Sequence, residues 1–166
     1  MLWLRIFSST FVFEDNDSIP KSICDIEEVS KRHPTSIART LLYIASCLQQ
    51  LNPQFDVTQL ELYPSVESYM ERLISIVQAL VTSDDELVST TEGLECLMLL
   101  GSFHINAGNP RRAWLNFRRA MNIGQLMGLH REACSIPGGR EMWYHTVQAE
   151  RYLVSTYRRF SNMSTY

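Results

Sequence analysis

The sequence of 166 residues lacks any closely spaced pair of cysteines. A structural zinc site needs thiolates close together in the chain to build a tetrahedral cage, so no such site is expected. The apolar start is interrupted by Arg5 and has no signal-type cleavage site, and scattered thiols without a secretion signal indicate a reducing compartment. The four cysteines lie at long, irregular spacings: Cys24, Cys47, Cys96 and Cys134.

Long apolar runs, strand-like alternation and excess positive charge are absent as well. No run approaches the ~18 apolar residues of a membrane-spanning helix, and no apolar–polar alternation extends beyond a few residues. The net charge is −3, whereas a protein that binds nucleic acid through its whole surface is usually basic. With 45% hydrophobic and 20% charged residues, the chain is expected to fold around one globular core.

Motifs of enzyme chemistry are missing too. The sequence contains no G-x-S-x-G, no phosphate-binding glycine loop and no dinucleotide fingerprint, and none of its four histidines forms H-x-x-x-H. His104 lies in an apolar segment and is expected to be a hydrogen-bonded core residue rather than a ligand. Glu150 is expected to form a structural ion pair. We therefore expect no enzyme and no catalytic, cofactor-binding or metal-binding residues.

The sequence does contain apolar residues at three- and four-residue steps, which predict helices. Residues 1–33 form a weakly patterned lead-in, residues 34–154 a helical domain and residues 155–166 a polar tail. The fold class is therefore expected to be all-α, with consecutive helices packed as antiparallel hairpins. The five helices are predicted from Pro34 to about Leu51, from Ser65 to Val81, from the Ser89–Glu92 start to Gly108, from Asn109 to Gly128, and from about Arg140.

The third helix has the clearest start signal and the most apolar surface. Ser89 and Glu92 are spaced as a capping box, in which each side chain satisfies a backbone N–H at the helix start. The helix is apolar on most sides, so it should be central. Gly93 and Gly101 weaken it intrinsically but allow a neighbouring helix to approach closely. Gly108 is expected to end it in a left-handed cap.

Two arginine pairs lie seven residues apart, about two helical turns, in the fourth predicted helix. Winding the helix at ~100° per residue places all four side chains on one sector, opposite an aromatic face. One interpretation is a solvated face that pairs with the acidic connector around Asp85, and the other is a patch that faces phosphate or an acidic partner. The acidic total charge favours the solvated face. The four residues are Arg111, Arg112, Arg118 and Arg119.

Two resemblances follow from these segments. Residues 100–123 resemble one tetratricopeptide unit, which leaves a helical adaptor that binds a peptide as the alternative function, although about three units are needed for a stable array. Residues 11–153 resemble more closely the regulatory (middle homology) domain of fungal binuclear zinc-cluster transcription factors. The motifs, in order, are Glu92-Gly93-Leu94, the "RRAW…RRA" segment, Gly128-Leu129-His130, and Trp143 followed by Glu150-Arg151-Tyr152-Leu153.

This second resemblance implies a regulatory fragment that acts in transcription in the nucleus. The family's six-cysteine zinc cluster and basic linker are missing, so zinc is implied only for that absent segment and DNA contact only through it. The resemblance implies a protein partner or a regulatory effector, and no membrane. The polar end of the chain departs from the family pattern, so we expect an incomplete helical domain with an apolar surface that further helices would cover.

Overall fold

The structure, a computed structural model, describes residues 30–163, and the side chains of residues 30–155. Most of the expected lead-in and the end of the polar tail lie outside the described residues. A compact unit begins at His33. Its α-helices, in chain order, are α1 (Pro34–Gln49), α2 (Val66–Val77), α3 (Asp85–Val88), α4 (Thr91–Asn106), α5 (Pro110–Leu126) and α6 (Gly139–Met163).

Between residues 30 and 163 the chain contains no β-strand, which confirms the all-α class. A short 3₁₀ turn, Val57–Leu60, interrupts the connection between α1 and α2. No helix in the described range is both long and apolar enough to cross a membrane. The antiparallel orientation of consecutive helices and the incompleteness of the domain stay predictions.

Helix α1 begins at Pro34, as the sequence predicts, and a polar side chain caps it. Pro34 occupies the first turn, where its missing N–H costs no hydrogen bond. The ring of His33 caps the helix by accepting a 3.4 Å hydrogen bond from the Thr35 backbone N–H. The helix ends at Gln49, slightly before the predicted end, because the chain turns at Gln50.

The second helix changes its geometry before it ends. Ser65 caps α2 by accepting a hydrogen bond from the Ser68 N–H at 3.2 Å. After Val77 the chain widens into a π-helical turn, Gln78–Thr82, where the sequence predicts a continuous α-helix. A π turn takes up one extra residue and rotates the following side chains, and here Val81 and Thr82 are buried.

The start of α4 differs from the predicted capping box by one residue. Thr90, rather than Ser89, is the cap, and its hydroxyl accepts a 3.0 Å hydrogen bond from the Gly93 N–H. The third residue of the helix is therefore Gly93, which has no side chain to reach back. Glu92 is released from a capping role and contacts α1 instead.

Helix α4 is the centre of the compact unit, packed against α1, α3, α5 and α6. Its two glycines set the close approaches that the sequence predicts. A Cβ built on Gly101 would lie 2.4 Å from Cε1 of Phe117 on α5, and one built on Gly93 would lie 2.5 Å from the backbone of Val88. Gly108 has φ +71°, which confirms the left-handed cap after α4.

Candidate functional site: a polar seam and a basic helix

A buried carboxylate joins the two helices at the heart of the fold. Glu95 of α4 is only 7% exposed. Its Oε1 accepts a 2.7 Å hydrogen bond from the hydroxyl of Tyr43, and its Oε2 accepts a 3.1 Å hydrogen bond from Nη1 of Arg39. Both partners lie on α1. We call the contact of Thr35, Ser36, Arg39 and Tyr43 with Glu92 and Glu95 the polar seam.

Glu92 occupies the outer part of the seam. Its Oε2 accepts hydrogen bonds from the hydroxyls of Ser36 at 2.7 Å and Thr35 at 3.1 Å, while Oε1 lies 3.8 Å from Nη1 of Arg39. The Ser36 hydrogen bond, with smaller contributions from Thr35 and Arg39, outweighs partial burial and lowers the pKa of Glu92. The carboxylate is therefore held in its charged form.

Two further groups of the seam, Arg39 and Tyr43, and the neighbouring Cys96 thiol have shifted pKa values. Burial, with the hydrogen bond to Glu95, raises the pKa of Tyr43. Burial works to lower the pKa of Arg39, but the Glu95 carboxylate outweighs it and raises that pKa. Burial also raises the pKa of the neighbouring Cys96 thiol to about 12. None of these groups is poised to exchange a proton near neutral pH, so the seam is built for structure rather than for acid–base chemistry.

Sequence reasoning missed the seam because it treated α4 as apolar. The available signal was a spacing match between two helices. Ser36, Arg39 and Tyr43 recur at steps of three and four, and Glu92 and Glu95 are three residues apart, so each set lies on one face of its helix. A buried carboxylate needs hydrogen-bond donors, and these donors must come from the helix that packs against it.

His104 is buried, as the sequence predicts, but its hydrogen bonding is incomplete. Its Nε2 lies 3.4 Å from Nε2 of Gln78 in the π turn, and Nδ1 has no hydrogen-bond partner. Burial, and to a smaller extent the nearby Arg112, lowers the pKa of His104. Burial therefore favours the neutral form of the ring.

The four arginines of α5 are not equivalent in the structure. Nη1 of Arg118 donates to Oε1 of Glu150 on α6 at 3.1 Å, the ion pair that the sequence predicts for Glu150. Arg119 turns the other way, donating to the Thr82 carbonyl and, through Nη2 at 2.6 Å, to Asp85 of α3. The predicted pairing with the acidic connector is therefore present for one arginine of the four.

Arg111 and Arg112 stand apart from this pattern. Both are exposed in the first turn of α5 and form no ion pair within residues 30–155. The Asn109 side chain makes no capping hydrogen bond at this helix start. Two cations at the positive end of a helix dipole are unfavourable for the isolated helix.

The opposite face of α5 is the packed one, as the sequence predicts. Its most deeply buried residues include Ala113, Phe117 and Ala120. The structure also shows a feature that sequence reasoning missed. Two leucines of α5, Leu115 and Leu126, lie on the exposed side, and Leu126 is 87% exposed. Apolar residues outside the core-facing stripe are the signal that identifies them.

Metal ligands do not gather in the described part of the chain. Among residues 30–155 no three His, Cys, Asp or Glu side chains lie close enough to hold an ion. The two carboxylates of the polar seam, Glu92 and Glu95, are both occupied by donors from α1. The candidate site thus consists of two helices, α1 and α4, joined by the polar seam, and of the basic helix α5.

The sequence of the chain is similar to the sequences of fungal transcription factors. The chain is 54% identical over 99 residues to the transcription factor sdnS of Sordaria araneosa, which covers 60% of this chain and 13% of the relative. It is 39% identical over 148 residues to the transcription factor eupR of a Phoma species, covering 82% of this chain and 32% of the relative. Its homologues are fungal transcription factors.

A third transcription-factor homologue has a more specific description. The dehydrocurvularin biosynthesis regulator of Alternaria cinerariae is 42% identical over 99 residues, covering 60% of this chain and 13% of the relative. The chain thus spans between about an eighth and a third of the length of the relatives named here. No family model matches it, and no solved structure matches it. None of the comparisons favours the tetratricopeptide-like alternative.

Proposed function

We propose that the chain serves the regulation of transcription as a regulatory segment of a fungal-type transcription factor. The observation that carries the proposal is its 39–54% identity to transcription factors over stretches of 99–148 residues. Stretches of this length are far longer than a short motif. The segment acts in the nucleus by contact with a protein partner or an effector.

The proposed segment does not read DNA by itself. Of the four arginines on the basic helix, Arg118 and Arg119 are already paired with Glu150 and Asp85. Arg111 and Arg112, which form no ion pair within the described part of the chain, are a small phosphate-binding footprint, because affinity for duplex DNA grows with the number of phosphates that cations neutralise. The net charge of −3 adds a general repulsion.

The proposed role needs no catalysis. The buried carboxylate Glu95 is satisfied by Tyr43 and Arg39, and the Cys96 thiol has its pKa raised by burial. A catalytic centre would require at least one nucleophile or base with a pKa near the working pH and access to a substrate. The seam instead fixes how α1 sits on α4, which supports a defined outer surface.

A mobility-shift experiment tests the absence of DNA reading. The purified chain would be titrated into a pool of random-sequence duplexes at about physiological salt, with and without added Zn²⁺, followed by sequencing of any retarded DNA. We expect no enriched sequence under either condition. Enrichment of one sequence that depends on Zn²⁺ would overturn the proposal, because it would show a complete DNA-reading module in this chain.

A further inference from the structure

The exposed edge of α5 carries two apolar side chains, Leu115 and Leu126, and is therefore not purely polar. At ~100° per residue, Leu115, Asn122 and Leu126 fall within a sector of about 40°. The two leucines are 53% and 87% exposed. They lie eleven residues apart, about 16 Å along the helix. A single exposed leucine is ordinary, and we call the two leucines on this edge, with the polar Asn122 between them, the apolar strip.

Arginines flank this strip on both sides. The same winding places Arg111 and Arg118 on one side of Leu115, and Arg112 and Arg119 on the other. The ion pairs agree with that geometry, since Arg118 reaches Glu150 on α6 and Arg119 reaches Asp85 on α3. We call the strip and its four arginines the basic ridge. Helix α5 contains no acidic residue.

We propose that the basic ridge docks an acidic amphipathic helix of a protein partner. A helix with leucines along one stripe and Asp or Glu on both flanks matches the ridge in both respects. Its leucines would cover Leu115 and Leu126, and its carboxylates would meet Arg111 and Arg112, which have no ion-pair partner among residues 30–155. Relief of the unfavourable charge at the start of α5 adds to the attraction. This inference names a partner for the regulatory segment, and its biological meaning rests on the proposed function.

Two other occupants fit the ridge less well. Duplex DNA presents phosphates but no apolar stripe, so the leucines would remain exposed between the arginines. An anionic membrane would meet the same arginines, but two leucines are a small apolar anchor for a bilayer. Both occupants therefore become arms of the test.

The test uses the full chain and a synthetic, fluorescein-labelled peptide of about 18 residues. The peptide carries leucines at helical spacing with glutamates on both flanks, and a control peptide has the same composition with the leucines scattered around the helix. Fluorescence anisotropy at two salt concentrations measures binding. We expect saturable binding of the striped peptide only, weakened by salt.

Four variants locate the binding site. Leu126→Ser and the double change Arg111→Glu with Arg112→Glu alter the ridge, and glutamate in a first helical turn favours the helix dipole, so the fold should be retained. Val57→Ser and Arg72→Glu make the same types of change at exposed positions away from α5. We expect each ridge variant to weaken binding by about tenfold, and the controls by less than about twofold. Circular dichroism and urea midpoints verify that all four are folded.

Three results would overturn the proposal: equal binding of both peptides, ridge variants that bind like the unaltered chain, or tighter binding to phosphatidylserine vesicles or random duplex DNA at the same salt. The readout contains no transcription step. Loss of the ridge interaction would therefore leave the regulatory function standing, and failure of that function would leave the measured peptide affinity unchanged.

Discussion

The hydroxyl of Tyr43 on α1 donates a 2.7 Å hydrogen bond to Oε1 of Glu95 on α4. This hydrogen bond crosses the interface between the two helices at a point where Glu95 is almost fully buried. A buried carboxylate that lost one donor would still bear its desolvation cost. The hydrogen bond therefore favours the register of α1 against α4 that brings Tyr43 to Glu95.

Removing the Tyr43 hydroxyl should destabilise the fold. We expect Tyr43→Phe to lower the free energy of unfolding by about 1–3 kcal/mol, because Oε1 of the buried Glu95 would lose the donor that Tyr43 supplies. Urea denaturation followed by circular dichroism measures the change. The exposed Tyr144 supplies a matched control, and Tyr144→Phe should change stability by less than about 0.5 kcal/mol. Equal effects at the two tyrosines would show that the seam does not stabilise the helix pair.

Two of the buried helical glycines, Gly101 and Gly124, should respond oppositely to alanine. At Gly101 a new Cβ would lie 2.4 Å from the fully buried ring of Phe117, so Gly101→Ala should cost about 1–3 kcal/mol. At Gly124 the nearest atom is 3.4 Å away, so Gly124→Ala should be neutral or stabilise by up to about 1 kcal/mol through helix propensity. Thermal melts of the two variants decide the matter, and a stabilising Gly101→Ala would contradict the close packing of α4 on α5.

Burial of His104 predicts that stability falls in mild acid. Burial, with Arg112, lowers the pKa of His104 in the folded chain, whereas an unfolded histidine has a pKa of about 6.5. The unfolded chain therefore binds a proton that the folded chain excludes. The resulting stability is present above about pH 6.5 and is lost as the pH falls towards the lowered pKa.

Substitution of His104 isolates this contribution. We expect His104→Gln to reduce the loss in urea midpoint between pH 7.5 and pH 5.0 relative to the unaltered chain. His130→Gln serves as the control, because it removes an exposed histidine and leaves the contact between His104 and Gln78 in place. A pH dependence that is identical in all three proteins would exclude His104 as the source.

The two cysteines of the described helices, Cys47 and Cys96, should differ in the rate at which their thiols react. Cys96 is buried, donates to the Thr35 carbonyl at 3.5 Å and has a pKa of about 12, whereas Cys47 is exposed. Since the thiolate is the nucleophile, iodoacetamide should alkylate Cys47 well before Cys96 in the folded chain. Peptide mass spectrometry after timed quenching measures both rates. Comparable rates under native conditions would contradict the burial of Cys96, and its rate should rise in urea.

Helix positions could be predicted from the sequence wherever apolar spacing and end signals agree. Pro34 and Gly108 mark real helix ends because their effects are local. The cap of α4 is one residue from its predicted position because Ser89 and Thr90 are both good caps, and the Ser89 hydroxyl instead donates to the Asp85 carbonyl in α3. The π turn after Val77 has no local signal, since it depends on how Val81 and Thr82 pack.

The site could be predicted only in part. The arginines of α5 stand on the expected surface, but the sequence alone does not separate Arg118 and Arg119 from Arg111 and Arg112. Their partners, Glu150 and Asp85, lie on other helices. The polar seam likewise joins residues of two helices that lie 52–57 positions apart in the sequence. Long-range pairing of this kind becomes visible only in three dimensions.

A tethered reporter tests the central claim most directly. The full chain would be fused to a bacterial DNA-binding domain and expressed in fungal cells with a reporter that carries the matching operator. A fusion carrying Phe117→Asp, which places a charge in the core, serves as the unfolded control. The account predicts that the folded fusion changes reporter output severalfold relative to the DNA-binding domain alone, and that the control does not. Unchanged output from a folded fusion present in the nucleus at the same level would contradict it.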